Sequence, residues 1–182
     1  NGNEERNRWL IDDQNYRKGS IAKAVNDEFW EYYVTTNLCE VLILSETGTT
    51  QLENFYDESI ISNCQKIIST HNNGEPGFAI LGYDNATSNY TLYGETDDGD
   101  VLFNTQIDEL EAEDFIETND GNFLIVGHYE YDSKIVKTDN LGNIIWSELN
   151  APNGALDDKF NFVVQNNTDY VSLGIWDNPS DG

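Results

Sequence analysis

Positive charge is scarce in this sequence: nine lysines and arginines stand against 34 aspartates and glutamates, a formal net charge of −25 over 182 residues. A chain so acidic repels phosphate backbones and anionic membrane surfaces, which excludes nucleic acid as a partner. Long apolar runs are missing as well. The longest are four residues (Val41 to Leu44, Phe78 to Leu81, Phe123 to Val126), far short of the roughly 20 that a membrane-spanning helix needs, so no direct membrane span is expected. Methionine is absent altogether, and the chain is read as a mature product or a fragment, with truncation of a larger repeat structure the favoured expectation. Proline occurs three times, and cysteine and histidine twice each. Two cysteines permit one disulfide without requiring it.

What is present is more informative. Hydrophobic residues make up 38% of the chain, enough for the core of one ordinary domain. The 23 asparagines and 14 glycines give a turn-rich and not a helical composition. Residues 1–23 are near neutral, whereas residues 24–182 hold four lysines (Lys66, Lys134, Lys137, Lys159) against 30 acids spread through the sequence. An acidic surface dispersed in this way serves solubility first.

One pattern of two strands and a tight turn recurs. The clearest copy is Asn119-Asp120-Gly121-Asn122-Phe123-Leu124-Ile125-Val126-Gly127, matched upstream by Asn73 to Gly82 and downstream by Asn167 to Gly174. Aromatic residues at 78, 123 and 170 and closing glycines at 82, 127 and 174 keep the same spacings of 45 and 47. A second landmark runs out of phase: Thr138 to Trp146 matches Glu95 to Phe103, 43 residues earlier, with a weaker copy at Glu46 to Leu52. Asp-Gly and Asn-Gly tolerate the positive φ angles of tight hairpins, so each repeat predicts two hairpins, or four strands. The strands are read as Ser20–Val25, Phe29–Val34, Cys39–Leu44 and Gln51–Phe55; then from about Ile60, Phe78–Leu81, Tyr90–Tyr93 and Val101–Thr105; then Asp114–Thr118, Phe123–Val126, Lys134–Lys137 and Ile144–Glu148; and finally Phe160–Val164 and Tyr170–Leu173.

Four short antiparallel strands repeating every 43 to 51 residues predict an all-β fold, a β-propeller of four-stranded antiparallel blades. The expected division is a possible outer strand of a preceding blade in 1–19, then repeats at about 20–59, 60–108, 110–158 and a partial one at 159–182: three complete blades, with partial blades at both ends. The Asp139 to Trp146 segment, with Gly127 a dozen residues before it, is similar to the repeats of bacterial secreted β-propellers. More distantly it resembles the tryptophan-docking motif of the PQQ-type propellers. That resemblance implies a rigid, exported scaffold on which unrelated functions are carried. Trp146 and Phe103 share one repeat position and are expected to be packed between blades.

No residue reads as catalytic, cofactor-binding or metal-binding. His71 sits beside a turn and His128 follows Gly127, neither with a partner at zinc-ligand spacing. No G-x-S-x-G elbow is present. Asp97-Asp98-Gly99-Asp100 has the oxygens for Ca²⁺ but lacks the D-x-[DN]-x-[DN]-G pattern, so hairpin chemistry accounts for it. Tyr90, Tyr129, Tyr131 and Trp176 lie near carboxylates and have the chemistry to stack on sugars; packing at blade edges is the plainer reading. Cys39 and Cys64 fall on adjacent predicted sheets, which pack about 10 Å apart, and are expected as buried free thiols. The sequons at Asn85, Asn89 and Asn166 follow from composition. The expected function is therefore a non-catalytic, exported propeller that binds another protein within a bacterial cell-surface or periplasmic assembly, with no cofactor. The alternative is a glycan-binding or glycan-degrading propeller whose carboxylates converge only in the fold.

Overall fold

A computed structural model describes residues 18–23, 29–34, 39–44, 50–56, 61–70, 77–96, 98–150 and 158–175, and, within the first four strands, the side chains of Cys39, Val41 and Tyr56. Among the described residues the chain is all-β, with no helix. The strands are β1 Lys18–Lys23, β2 Phe29–Val34, β3 Cys39–Leu44 and β4 Thr50–Tyr56; β5 Asn63–Thr70, β6 Gly77–Asp84, β7 Asn89–Thr96 and β8 Val101–Ile107; β9 Glu111–Glu117, β10 Phe123–Tyr129, β11 Asp132–Thr138 and β12 Ile144–Asn150; and β13 Lys159–Asn166 and β14 Asp169–Ile175. They form three four-stranded sheets and one two-stranded sheet, each in chain order. Neighbouring strands pair antiparallel. The expected strands are thus found, apart from Ala24 and Val25, which lie outside the described residues together with 1–17 and the turns at Gly48 and Gly74.

The hairpin signals act as their chemistry requires. In the turns Thr96–Asp100, Thr118–Asn122 and Asp139–Asn143 the fourth residue is glycine, with φ of +89°, +76° and +79°. In each, the glycine N–H donates to the carbonyl of the turn's first residue, and that first residue's N–H donates to the carbonyl of the fifth. This is the geometry of a short hairpin loop closed by a left-handed residue, which glycine enters without steric cost.

The closing glycines have a different cause. The pairing of β5 with β6 shifts register between Cys64 and Lys66, that of β9 with β10 at Val126/Gly127, and that of β13 with β14 between Phe160 and Phe162. Each shift presses a backbone carbonyl (Asn63, Glu111 or Lys159) against the α-carbon of Gly82, Gly127 or Gly174, where a Cβ would overlap it. A β-bulge at the same position of the three repeats that carry a closing glycine accounts for the glycine period.

Two compact units are present, Asn1–Asn104 and Thr105–Gly182. In the first, Cys39, Val41 and Tyr56 of the β1–β4 sheet share a core with Ile61, Cys64, Ile67, Phe78, Ile80 and Tyr93. At its edge the buried Glu95 carboxylate accepts hydrogen bonds from Tyr56 (2.8 Å) and Tyr93 (2.7 Å), whose rings meet edge-on at 5.2 Å. Burial, the hydrogen bond to Glu95 and that carboxylate's charge together push the Tyr93 hydroxyl's pKa up.

The expectation of free thiols is corrected: Cys39 and Cys64 form a disulfide, their α-carbons 5.6 Å apart. Average sheet spacing does not apply here. Cys39 opens β3 and Cys64 lies at the β5 bulge, where the strand departs from regular pairing, and the α-carbon separation falls in the bridging range.

In the second unit, the β13–β14 hairpin lies on the β9–β12 sheet. Phe160 and Val163 pack on Leu124 and Val126, with Ile116, Ile135 and Tyr170 partly buried around them. Asp114, itself buried, accepts the Val163 N–H at 2.9 Å.

The disulfide closes a sequence separation of 25 residues, and the loop-entropy argument makes its removal cost about 3–4 kcal/mol. Cys39→Ala/Cys64→Ala should lose that amount in urea unfolding, equal to the loss caused by reductant on the parent chain. Equal stability of the parent with and without reductant would contradict the bridge.

Candidate interaction surface

The residues singled out in the sequence do not converge on a reactive centre. His128 stands in register with Glu111 of β9 and Ser133 of β11, so three adjacent strands place a carboxylate, an imidazole and a hydroxyl in one row. Sequence reading missed this row, because only the hairpin registers bring positions 111, 128 and 133 together. His128 Nε2 lies 3.4 Å from Glu111 Oε2. Ser133 Oγ and His128 Nδ1 are buried and make no hydrogen bond, so no base is in contact with the hydroxyl, as nucleophilic catalysis requires. His71 lies outside the described residues. Among the described residues no three His, Cys, Asp or Glu side chains are placed to hold a metal ion.

The acidic turn is a hairpin. Asp98, Gly99 and Asp100 are exposed, and Asp100 N–H donates to Thr96 Oγ1 at 3.0 Å; Asp97 lies outside the described residues. The aromatic candidates divide. Tyr90 stacks edge-on with Tyr83 at 5.2 Å and accepts a hydrogen bond from Gln65. Tyr129 lies beneath the Lys134 ammonium, 5.3 Å from the ring centre, while Tyr131 is exposed and Trp176 is outside the described residues.

A polar clasp that sequence reading also missed fixes the second unit's hairpin to its sheet. Asn119 in the β9–β10 turn donates its N–H to Gln165 Oε1 (2.7 Å) and its side-chain amide to the Asn167 carbonyl (3.0 Å). Lys137 Nζ donates to Asp120 Oδ2 (2.8 Å) and to the Tyr170 hydroxyl (3.0 Å). Thr118 Oγ1 donates to the other Asp120 oxygen.

The surface that stands out chemically is the hairpin's opposite face. Side chains alternate across a strand, and the register sets Phe162 against Leu173 and Val164 against Val171. Phe162 is 62% exposed and Leu173 67%, and Val164, Val171 and Ile175 are exposed beside them. Such a contiguous apolar patch marks an interaction surface more often than an isolated exposed side chain does.

Trp146 departs from its expectation. Phe103 is buried, its ring lying where a Cβ on Gly94 would be. Trp146 is 38% exposed, and its cross-strand neighbour is Lys137. No protein-family model matches the chain, and none of the curated proteins matches it.

The clasp gives a pH signature. The hydrogen bond from Lys137, then that from Thr118, holds Asp120 down to about 2 against its ordinary 3.8. A folded value below the unfolded one means a stabilisation that is complete above about pH 4 and lost as the pH falls through about 2. Asp120→Asn should therefore be less stable than the parent at pH 7, with the gap closing between about pH 4 and pH 2. Urea midpoints measured across that range check it; a gap that does not change with pH would contradict the clasp.

Proposed function

We propose that this chain is a run of β-propeller blades, exported and non-catalytic, that binds another protein as a scaffold component of a bacterial cell-surface or periplasmic assembly. The observation that carries the reading is a packing contact made twice at the same repeat positions. Cys64 pairs with the closing Gly82, and Ile67 with the residue two before it; Phe160 pairs with Gly174, and Val163 with the residue two before it. The first pair packs on the β1–β4 sheet and the second on the β9–β12 sheet. Repetition of one sheet-on-sheet contact is how a propeller is built.

Such a scaffold is rigid and presents its loops as a binding surface. The 30 acids beyond residue 23 favour a partner with a positively charged patch, attracted over a Debye length of about 8 Å at physiological salt. The disulfide supports an extracytoplasmic location, since such bonds persist in oxidising compartments.

The test is capture of partners from the native source at low and high salt, run beside a polysaccharide-hydrolysis screen. The reading expects a stoichiometric protein partner, less of it at high salt, and no turnover. No partner at either salt, with polysaccharide turnover that is lost when one carboxylate is changed to its amide, would overturn it in favour of a glycan-degrading enzyme.

A further inference from the structure

With no Cβ, glycine leaves its own nitrogen open to the side-chain carboxyl of the residue before it, so an Asp-Gly step is where a chain isomerises most readily. Two such steps lie among the described residues, Asp98-Gly99 and Asp120-Gly121, at the same place in two hairpin turns. Their backbones match. Both glycines have positive φ, and each glycine N–H donates to the carbonyl of its turn's first residue, Gly99 to Thr96 at 3.0 Å and Gly121 to Thr118 at 2.8 Å. Their carboxylates differ. Asp120 accepts hydrogen bonds from Lys137 Nζ on one oxygen (2.8 Å) and from Thr118 Oγ1 on the other, which also accepts the Asn122 N–H at 3.4 Å. Asp98 is exposed, and among the described residues nothing holds its carboxylate.

We propose that Asp98 is a site of spontaneous isomerisation to isoaspartate, and that Asp120, in the same dipeptide and the same turn, is protected from it by its hydrogen bonds. In the reaction the Gly99 nitrogen bonds to the side-chain carboxyl carbon of Asp98, and the amide hydrogen leaves with the carboxyl OH as water, closing a cyclic imide. Water then adds to the imide carbon that was the Asp98 backbone carbonyl, and the bond from that carbon to the Gly99 nitrogen breaks. The chain now runs through the Asp98 β-carbon. Nothing is oxidised or reduced, and water is the only co-reactant. Ring closure needs the neutral carboxylic acid and a side chain free to swing onto the nitrogen. Asp120 has neither: the hydrogen bond from Lys137, then that from Thr118, holds its pKa at about 2 against 3.8, and both of its oxygens are tied. The product matters at Asp98 because that turn is tightly closed. Asp100 N–H donates to Thr96 Oγ1 at 3.0 Å, and Thr96 N–H donates to the Asp100 carbonyl at 3.0 Å. An extra main-chain carbon between them opens this closure beside Glu95, whose carboxylate accepts the Tyr56 and Tyr93 hydroxyls at the edge of the first unit's core. The proposal stands on the two turns and does not depend on the propeller reading.

Prolonged incubation of the full chain at neutral pH tests it, with isoaspartate read site by site through electron-transfer fragmentation of its peptides. The expected result is isoaspartate that accumulates at 98 and forms at least about tenfold more slowly at 120, where far less of the carboxyl is the neutral acid. In urea, with both turns open, the two sites should convert at similar rates. Lys137→Met, which keeps the stem and removes the ammonium, should raise the rate at 120 in the folded chain and leave that at 98 unchanged. Equal rates at 98 and 120 in the folded chain would overturn the proposal, as would an unchanged rate at 120 in Lys137→Met. A difference that persists in urea would overturn it as well, because local sequence and not the fold would then set the rates. So would the absence of isoaspartate at 98 in the folded chain over a period in which the unfolded chain forms it.

Discussion

A strand with no polar face has to be covered twice, and the rest of this structure depends on that requirement. In Phe123-Leu124-Ile125-Val126 of β10 two side chains go to each side of the sheet, and all four are buried. β6 is buried from Gly77 through Gly82 in the same way. A sheet built around such a strand has no solvated side. In the second unit the Leu124/Val126 side is met by Phe160 and Val163, and in the first the Phe78/Ile80 side meets the β1–β4 sheet. Burying each large apolar side chain contributes about 1.5–3 kcal/mol, against about 0–1 kcal/mol for an exposed ion pair such as Lys137–Asp120. Apolar coverage therefore sets which faces meet, and the polar clasp adjusts how they align.

The bulges place these contacts. At the repeated register shift the first strand gives up regular pairing and a carbonyl lies against the closing glycine, and in β5 and β13 the residues on either side pack on the neighbouring sheet. Cys64 sits at one such shift, which is how it reaches Cys39. Phe160 and Val163 flank another, and the Val163 N–H donates to Asp114. A disulfide in one repeat and a buried hydrogen bond in another thus stand beside the same irregularity.

The sequence was legible where local chemistry decides structure. Turns ending in Asp98-Gly99, Asp120-Gly121 and Leu141-Gly142 between apolar strands place the hairpins, because these glycines adopt the positive φ that their positions require. Closing glycines spaced by 45 and 47 residues reveal the repeat before any contact is known. What failed depended on register. Cys39 and Cys64 were read from an average sheet spacing that a bulge overrides. Trp146 was equated with Phe103, yet its cross-strand neighbour is Lys137, where Phe103 lies over Gly94. The clasp of Asn119, Asp120, Lys137, Gln165 and Tyr170 and the row of Glu111, His128 and Ser133 join residues on different strands and turns, and no local pattern marks them.

The central claim is that the hairpin is seated through Phe160 and Val163 and not through its opposite face. Methyl and aromatic proton nuclear Overhauser effects in the full chain test this most directly. The account predicts cross-peaks from the Leu124 and Val126 methyls to Val163 and the Phe160 ring, and none from those methyls to Leu173 or Phe162. Cross-peaks from Leu124 or Val126 to Leu173 would contradict it, since the hairpin would then be seated by the face described here as bare.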